Sequence, residues 1–444
     1  MRVSALVSDL YELTMTAGYH ASGQARATFE LFVRELPPTR SFLIAAGIDQ
    51  ALEYLEPLAF AQDEIAYLRS VPALGNAPAS FFDDYLARFR FTGEVWAVAE
   101  GTLVFAQQPL LRVTAPVGEA QIVETALLSI VGFQTSVASK AARVVAAAEG
   151  RPVVEFGSRR AHGPEAARYA ARAAYLAGCA STSNVEAGFL FGIPVSGTMA
   201  HSWVMSFASE LDAFRTFASV HGPDSVFIID TYDPLVAVGR IVDAGLRPSG
   251  VRLDSGDLVA LSRAVRQALD AGGLRETRVF ASGDLDEHRV AALLAAQAPI
   301  DAFGVGTAVS TSSDAPALGA VYKLIEIERQ GVPAPAMKLS PGKRLYPGRK
   351  QIWRLVEDGV MRRDVVATAD EAGPPGATPL LTCVMRGGRR LDVRASLAAL
   401  RDRSAAEQLR LPPRVRQLRD GDRYPVAMSE GLERLADEVA GRIQ

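Results

Sequence analysis

Several residues that can bind or transfer anionic groups follow short apolar runs between Val153 and Thr307. Each run has the length and composition of a buried β-strand, and a polar cluster follows it directly. The residues that we expect to do chemistry in these clusters are Arg159, Thr198, His201, Arg252, Asp254, Ser282, Gly283, Asp284, Gly304, Gly306 and Thr307. Arginine, glycine, small polar residues and one histidine together predict a site for a multiply anionic, phosphorylated substrate.

His201 is the first candidate for a reacting group. It follows the apolar run Gly192–Val195, and the small residues Ser196–Thr198 lie between them. Imidazole in such a position can act as an acid, a base or a nucleophile, and it can accept a phosphoryl group. A structural histidine with its own hydrogen bonds satisfied is the alternative. His162, in a polar stretch beside Arg160, is a second candidate.

Arg159, Arg160 and Arg252 come directly after apolar runs. A guanidinium at the end of a buried strand is costly unless it meets an anion. That anion is either an internal carboxylate, for which Asp230 and Asp254 are available, or a carboxylate or phosphate of the substrate. Because several arginines share this position, the pattern favours binding of an anionic ligand.

Two glycine-containing clusters, Ser282–Asp284 and Gly304–Thr307, follow the last two apolar runs. Small residues allow backbone N–H groups to approach a phosphate closely, and the last loops of β/α barrels often form a phosphate site. A plain tight turn is the alternative. Aspartates in the clusters could bind Mg²⁺ or sugar hydroxyls, or they could cap helices, as Asp257 most simply would. The scattered histidines and cysteines form no zinc pattern, and no metal ligand is assigned.

The alternation of apolar run, polar cluster and helix-length stretch predicts parallel strands joined by helices. Loops after the strands form the active site in a β/α barrel, which agrees with where the polar clusters lie. We therefore predict an α/β protein with a TIM-like β/α barrel over residues 131–330. Residues 1–130 are predicted to form an N-terminal α/β domain and residues 331–444 a C-terminal extension. Asp9 and Glu12 predict a capping box for the first helix.

Composition argues against several other classes of protein. The chain has 444 residues, of which 49% are hydrophobic and 22% charged, and its formal net charge is −3. This balance provides no overall attraction to nucleic acid or to a membrane surface. No apolar run reaches the roughly 20 residues that span a bilayer, and the first residues are too polar for a secretory signal. We expect a cytoplasmic protein with its two cysteines as buried thiols.

The same clusters, with their flanking residues, resemble a known family. The chain resembles the nicotinate phosphoribosyltransferases, and the matching stretches run in the family's order. They are Asp9–Met15, Glu155–Pro164, Gly197–Ser202, Val251–Asp257, Gly304–Thr307, Met337–Ser340 and Pro347–Lys350. The resemblance implies a type II phosphoribosyltransferase with an N-terminal α/β domain and an irregular β/α barrel. It also implies a homodimer with active sites at the subunit interface.

The implied reaction joins nicotinate to phosphoribosyl pyrophosphate and yields nicotinate mononucleotide and pyrophosphate, the entry step of NAD salvage. The resemblance further implies Mg²⁺ as a cofactor and ATP as a co-substrate. ATP hydrolysis would be coupled to the transfer through a phosphorylated histidine, which here would be His201. The pyridine nitrogen already carries a free lone pair, so the transfer needs no general base and depends on positioning and on neutralising pyrophosphate.

The resemblance also implies roles for other residues. Tyr11 would stack on the pyridine ring and reach the barrel of the partner subunit. Thr198 and Arg252 match nicotinate-contacting positions, and Arg159 lies near the same pocket. Thr307 matches a contact to phosphoribosyl pyrophosphate. Its expected neighbours there are Gly283, Asp284, Gly304 and Gly306.

Three alternatives remain open. Nicotinamide phosphoribosyltransferase shares the architecture and the histidine, but the stretches Asp9–Met15 and Thr198–His201 favour the nicotinate family. Quinolinate phosphoribosyltransferase resembles residues 93–111 only loosely, and this chain is longer and lacks a basic cluster for two carboxylates. A silent protein that senses phosphoribosyl pyrophosphate is the third, and the intact His201, Arg252 and Thr307 argue against it.

Overall fold

The computed structural model describes residues 4–23, 25–339, 345–391 and 394–443. Its α-helices are α1 (Leu10–Ser22), α2 (Ile48–Leu55), α3 (Gln62–Ser70), α4 (Val117–Ile122), α5 (Glu124–Ala147), α6 (Pro164–Leu176), α7 (Val185–Phe191), α8 (His201–Met205), α9 (Glu210–His221), α10 (Pro234–Asp243), α11 (Leu258–Ala271), α12 (Glu287–Ala295), α13 (Thr307–Ser310), α14 (Leu397–Arg410) and α15 (Glu430–Ile443). Within these ranges, no helix has the length and hydropathy that crossing a bilayer requires.

Strands are distributed along the whole chain. They are β1 (Arg26–Val33), β2 (Leu43–Ile44), β3 (Glu94–Val98), β4 (Leu103–Val104), β5 (Pro109–Pro116), β6 (Val153–Glu155), β7 (Ser181–Thr182), β8 (Val226–Ile228), β9 (Gly250–Leu253), β10 (Arg278–Ala281), β11 (Ala302–Val305), β12 (Ala320–Arg329), β13 (Val332–Pro335), β14 (Lys350–Glu357), β15 (Val360–Thr368), β16 (Thr378–Pro379), β17 (Leu381–Arg386), β18 (Arg389–Arg390) and β19 (Val426–Met428). Ser340, at the end of the family-like stretch Met337–Ser340, lies outside the described residues.

The chain divides into two compact units. One consists of Met1–Ser136 and Ala317–Gln444, and the other of Val137–Pro316. The predicted domains end at residues 130 and 330, whereas the compact units change at residues 136 and 316. In the structure, the C-terminal strands β12 and β17 pair with the N-terminal strands β1 and β3, so both ends of the chain belong to the same unit. The separate C-terminal extension stays a prediction.

The first unit is built around a seven-stranded sheet in the order β13-β12-β1-β5-β3-β17-β18, and neighbouring strands in it are antiparallel. β1 is central and buried along nearly its whole length, because its residues are mostly apolar and both of its edges are paired. Phe29 of β1 stacks on Tyr322 of β12 with ring centroids 4.8 Å apart. A four-stranded sheet, β16-β14-β15-β19, and the pair β2-β4 complete the unit's strands in the described residues.

The second unit contains a six-stranded parallel sheet in the order β7-β6-β11-β10-β9-β8. Helices connect its strands, as parallel pairing requires. The predicted strands at β6, β8, β9, β10 and β11 are confirmed. Two details differ from the prediction. Ser181–Thr182 forms a strand that its short polar sequence did not indicate, and the run Gly192–Val195 contributes only an isolated bridge from Val195 to Thr182.

The parallel sheet forms part of a barrel. Val195 extends it beyond β7 at one end, and β8 lies at the other. No strand pairing among the described residues joins Val195 to β8. The predicted α/β class and parallel sheet are therefore confirmed, whereas a complete TIM-like barrel is not shown.

Candidate active site

Arg252 brings together side chains from three chain segments at the carboxyl ends of the strands. It lies on β9, and its Nε donates to Ser282 Oγ over 2.9 Å. Its Nη1 donates to Thr198 Oγ1 over 2.8 Å and, more weakly, to the Met199 carbonyl over 3.4 Å. Its Nη2 donates to Asp254 Oδ1 over 2.8 Å. Four predicted site residues thus form one group, which we call the Arg252 network: Thr198, Arg252, Asp254 and Ser282.

Asp254 balances the charge of Arg252. Burial alone would raise the pKa of the Asp254 carboxyl, but hydrogen bonds from Ser282 and Arg252, with the nearby charges of Arg252 and His201, lower it below its ordinary value. Ser282 Oγ donates to Asp254 Oδ1 over 2.5 Å and also accepts the Arg252 Nε–H. The Ser282 side chain is therefore engaged inside the network, and its hydroxyl is not directed at solvent.

His201 begins the short helix α8 and faces the network. Its Nδ1 lies 3.1 Å from Thr231 Oγ1, within hydrogen-bonding distance, and its Nε2 lies 3.8 Å from Asp254 Oδ2. The side chain is 38% exposed, and the ring is held through Nδ1 while Nε2 faces Asp254. Thr231 was not predicted as a site residue. Its place in the polar cluster Asp230–Asp233, which follows the apolar run ending at Ile229, was the available signal.

Asp230 supports the loop after β9. Its Oδ2 accepts hydrogen bonds from the backbone N–H groups of Asp254 and Ser255, over 2.6 and 2.9 Å. Its Oδ1 is buried, and no hydrogen-bond partner for it exists in the described part of the chain. A buried carboxylate oxygen without a donor is suited to a cation or a substrate hydroxyl.

Two other aspartates from the polar clusters cap helices. Asp233 accepts from the backbone N–H groups of Leu235 and Val236 at the start of α10, and Asp257 does the same at the start of α11. The capping role that the sequence suggested for Asp257 is confirmed. No group of three or more His, Cys, Asp or Glu suited to a metal ion is found among the described residues.

The two glycine loops, residues 282–286 and 304–307, follow β10 and β11. Gly283 has φ of +95°, and a Cβ atom there would overlap the carbonyl oxygen of Asp254. A Cβ atom at Gly304 would lie 2.5 Å from two carbons of the Phe156 ring. Close packing therefore requires glycine at both positions. Thr307 is the exposed first residue of α13, so its backbone N–H belongs to the unpaired first turn of a helix.

Phe156 and Glu155, at the end of β6, were not assigned roles from the sequence. The Arg252 guanidinium lies 5.8 Å above the Phe156 ring centroid. Glu155 is buried, accepts from Thr182 Oγ1 over 2.6 Å, and has its pKa raised by burial. A carboxylate inside an apolar run was the signal for Glu155. Arg159, in the turn that follows, is exposed and makes no ion pair within the described residues.

Tyr11 belongs to the first unit, whereas the other predicted site residues belong to the second. It lies on α1 and is 45% exposed. Partial burial and the charge of Glu124 raise the pKa of Tyr11 above its ordinary value, so its phenol is neutral. The predicted capping box beside it does not form. Asp9 makes no cap hydrogen bond, and Glu12 instead accepts from Thr125 Oγ1 over 2.6 Å.

Three regions of the chain match models of protein families. Residues 6–132 match the nicotinate phosphoribosyltransferase (NAPRTase) N-terminal domain, residues 152–338 match the nicotinate phosphoribosyltransferase family, and residues 373–436 match the nicotinate phosphoribosyltransferase C-terminal domain. The matches extend over both compact units.

Individual proteins agree with the family models. Nicotinate phosphoribosyltransferase pncB2 of Mycobacterium tuberculosis is 46% identical to the chain, over 99% of the chain and 94% of that protein. The nicotinate phosphoribosyltransferase of Bacillus subtilis is 43% identical over 83% of the chain and 76% of its own length. The crystal structure of human nicotinic acid phosphoribosyltransferase superposes with a TM-score of 0.85 at 28% identity, covering 97% of this chain and 99% of the human one.

Proposed function

Because the chain belongs to the nicotinate phosphoribosyltransferase family, we propose that it joins nicotinate to phosphoribosyl pyrophosphate. The products are nicotinate mononucleotide and pyrophosphate, and the reaction serves NAD salvage. The observation that carries the proposal is the 46% identity to a nicotinate phosphoribosyltransferase over 99% of the chain. The Arg252 network supports it with a partly buried cation at the carboxyl ends of the strands, where α/β enzymes bind their substrates.

In this reaction the pyridine nitrogen forms a bond to the anomeric carbon of the ribose while the bond from that carbon to pyrophosphate breaks. The nitrogen lone pair is free, so no proton has to be removed from the nucleophile. The chain's part is to position the two substrates and to balance the charge of the leaving group. Arg252 and Thr198 would hold the nicotinate carboxylate, with Arg159 as a nearby free cation.

The phosphates would be bound by the two glycine loops. Gly283 and Gly304 pack closely against Asp254 and Phe156, which fixes the loops, and Thr307 presents the first turn of α13. Asp284 lies in the first loop with φ of +49°. Ser282 contributes through the Arg252 network rather than through a free hydroxyl, because its oxygen already donates to Asp254.

His201 would accept a phosphoryl group from ATP and couple ATP hydrolysis to the transfer. Thr231 lies within hydrogen-bonding distance of Nδ1, and Nε2 lies beside Asp254. Asp254 would stabilise the positive charge that the ring gains as Nε2 takes up the phosphoryl group. His201 supports the presence of a phosphoryl acceptor, and ATP is proposed as the donor.

Mg²⁺ fits the residues present as a partly solvated ion. The buried, unpartnered Oδ1 of Asp230 is a hard oxygen donor, and Asp254 Oδ2 is a second. Mg²⁺ in such sites takes one or two carboxylates and completes its shell with substrate phosphate and water. When bound it would neutralise pyrophosphate charge.

The active form is proposed to be a homodimer in which Tyr11 enters the partner subunit's site and stacks on the pyridine ring. Its exposed position supports this role. Exposed apolar side chains in the second unit also support a partner surface, Phe189 most of all, because it is 86% exposed. Mixing a Tyr11→Ala protein with a His201→Ala protein tests it. Subunit exchange should restore about a quarter of the wild-type ATP-stimulated activity, because half of the dimers would carry one intact site out of two. If activity is not restored, Tyr11 and His201 contribute to the site of the same chain.

We also propose that the second unit closes into an irregular barrel, with Val195 beside β8. The proposed location of the protein is the cytoplasm. The deciding experiment is turnover of nicotinate with phosphoribosyl pyrophosphate and Mg²⁺, with and without ATP, beside nicotinamide and quinolinate. Turnover of nicotinate alone, accelerated by ATP, is expected. Preference for nicotinamide or quinolinate would overturn the pocket assignment. Binding of phosphoribosyl pyrophosphate without turnover of any of the three substrates would indicate a sensor protein.

A further inference from the structure

A buried group of four charged side chains lies outside the site described above. Lys140 and Arg143, one turn apart on α5, are 2% and 5% exposed. The Lys140 ammonium lies 2.6 Å from Glu287 Oε2 and 3.2 Å from Asp314 Oδ1, and Arg143 Nε donates to Glu287 Oε1 over 3.0 Å. We call this group the Lys140 cluster: Lys140, Arg143, Glu287 and Asp314.

Along the chain, the two carboxylates of the cluster follow the two glycine loops. Glu287 is the first residue of α12, and residues 282–286 form the loop that leads into it. Asp314 ends the turn that follows α13, the helix that begins at Thr307. Lys140 is therefore in contact with the segments that follow both loops. The loops also lie on adjacent strands, since β10 pairs with β11.

A buried ion pair adds little net stability, because removing the charges from water costs about as much as their attraction returns. Its remaining effect is to select one arrangement of the groups it joins. Glu287 is ionised in this arrangement. Burial would raise its pKa, but the hydrogen bond and charge of Lys140, together with Arg143, lower it. The cluster contains two positive and two negative charges. Each charge is compensated only while the four side chains remain in contact.

We propose that Lys140 is a positioning residue for the phosphate-binding loops: by holding Glu287 and Asp314 on one ammonium, it sets the spacing at which both loops engage phosphoribosyl pyrophosphate. This rests on the proposed function, in which those loops bind the phosphates. Lys140 does not touch the substrate in this role. Its loss should weaken binding of phosphoribosyl pyrophosphate and leave binding of nicotinate unchanged.

The test compares Lys140→Met with Arg143→Met. Both remove one buried positive charge from α5. The first removes the ammonium that contacts both carboxylates, and the second removes a hydrogen bond to Glu287. Lys140→Met should raise the KM and the calorimetric Kd for phosphoribosyl pyrophosphate about tenfold or more, as loss of substrate positioning does. The KM for nicotinate should stay within about twofold. Arg143→Met should lower the melting temperature similarly with little change in either KM.

Two further variants keep the proposal testable if Lys140→Met folds poorly. Lys140→Arg retains the charge and reach and should keep most of the affinity for phosphoribosyl pyrophosphate. Asp314→Asn, at a position 15% exposed, breaks one arm of the link and should raise that KM severalfold with the protein folded. Equal effects of Lys140→Met and Arg143→Met on that KM, or a wild-type KM in Asp314→Asn, would overturn the inference. Absence of nicotinate turnover in the wild-type protein would instead contradict the proposed function.

Discussion

Replacing Arg252 by glutamine tests which group distinguishes a carboxylate from an amide. A guanidinium has five N–H groups. Within the described residues, four of them are directed at Ser282 Oγ, Thr198 Oγ1, Met199 O and Asp254 Oδ1. One N–H of Nη2 is left for an oxygen of the substrate. A hydrogen bond to a charged group contributes about 1.5–3 kcal/mol, so its loss should weaken nicotinate binding about 10- to 150-fold.

Nicotinamide should respond differently, because it carries no negative charge for Arg252 to pair with. Its affinity should change little in Arg252→Gln. The variant also leaves Asp254 without its main cationic partner, and the unpaired carboxylate would repel nicotinate further. The double variant Arg252→Gln/Asp254→Asn removes that repulsion, so it should recover part of the nicotinate affinity while still lacking the preference for the acid.

The assay is isothermal titration of nicotinate and of nicotinamide, together with kcat/KM for nicotinate at saturating phosphoribosyl pyrophosphate. Arg252→Lys serves as the control for charge, since lysine keeps the positive charge but cannot maintain the bonds to three segments. Thermal unfolding of each variant checks that the sheet is intact. Equal losses of affinity for the acid and the amide would refute the assignment of Arg252 as the group that reads the carboxylate.

Three other predictions concern single residues. His201→Ala should abolish the stimulation of turnover by ATP in a steady-state assay, and undiminished stimulation would exclude His201 as the phosphoryl acceptor. Gly283→Ala should lower kcat/KM about tenfold or more, because the new Cβ displaces the Asp254 backbone; Gly245→Ala, also at positive φ but with no atom within 4 Å, should affect stability alone. Burial and the nearby Glu124 raise the pKa of Glu12 to about 7, against hydrogen bonds from Thr125, so the folded state binds a proton more tightly than the unfolded chain. Stability should therefore fall as the pH rises from the ordinary glutamate pKa to about 7, and Glu12→Gln should be more stable than wild type above pH 7 by about 1–2 kcal/mol in denaturant titrations; parallel pH profiles would contradict this.

Much of the second unit could be predicted from local sequence. Apolar runs such as Val226–Ile229 have the composition of buried strands, and the polar residues after them mark strand ends. The weak points were short or polar elements. Ser181–Thr182 has no apolar signal, and its two residues form a strand by pairing with β6. Val195 ends a strand-like run but forms one bridge only. Pairing partners lie far along the chain, and a window of neighbouring residues carries little information about them.

The site illustrates the same division. Residue types alone indicated that Arg252 needs an anion, and they favoured an anionic ligand over an internal carboxylate. The structure shows both Asp254 and Ser282 bonded to it, with one N–H left over. Ser282 was predicted to bind phosphate, and the structure shows its hydroxyl bonded to Arg252 and Asp254. Which way a small side chain at a strand end points depends on the neighbouring strand, which the sequence does not specify locally.

The sequence by itself determined the chemistry available to this protein: its family, its anion-binding residues, its histidine and the rhythm of a parallel sheet. These follow from the types of the residues and their spacing over short stretches of sequence, which reflect burial, turn formation and charge directly. Only the tertiary structure decided which of those residues meet. The Arg252 network joins positions 198, 252, 254 and 282, and the Lys140 cluster joins positions 140, 143, 287 and 314. Such contacts arise when the sheet places distant strand ends side by side, and their energies depend on distances of a few ångströms that no local pattern encodes.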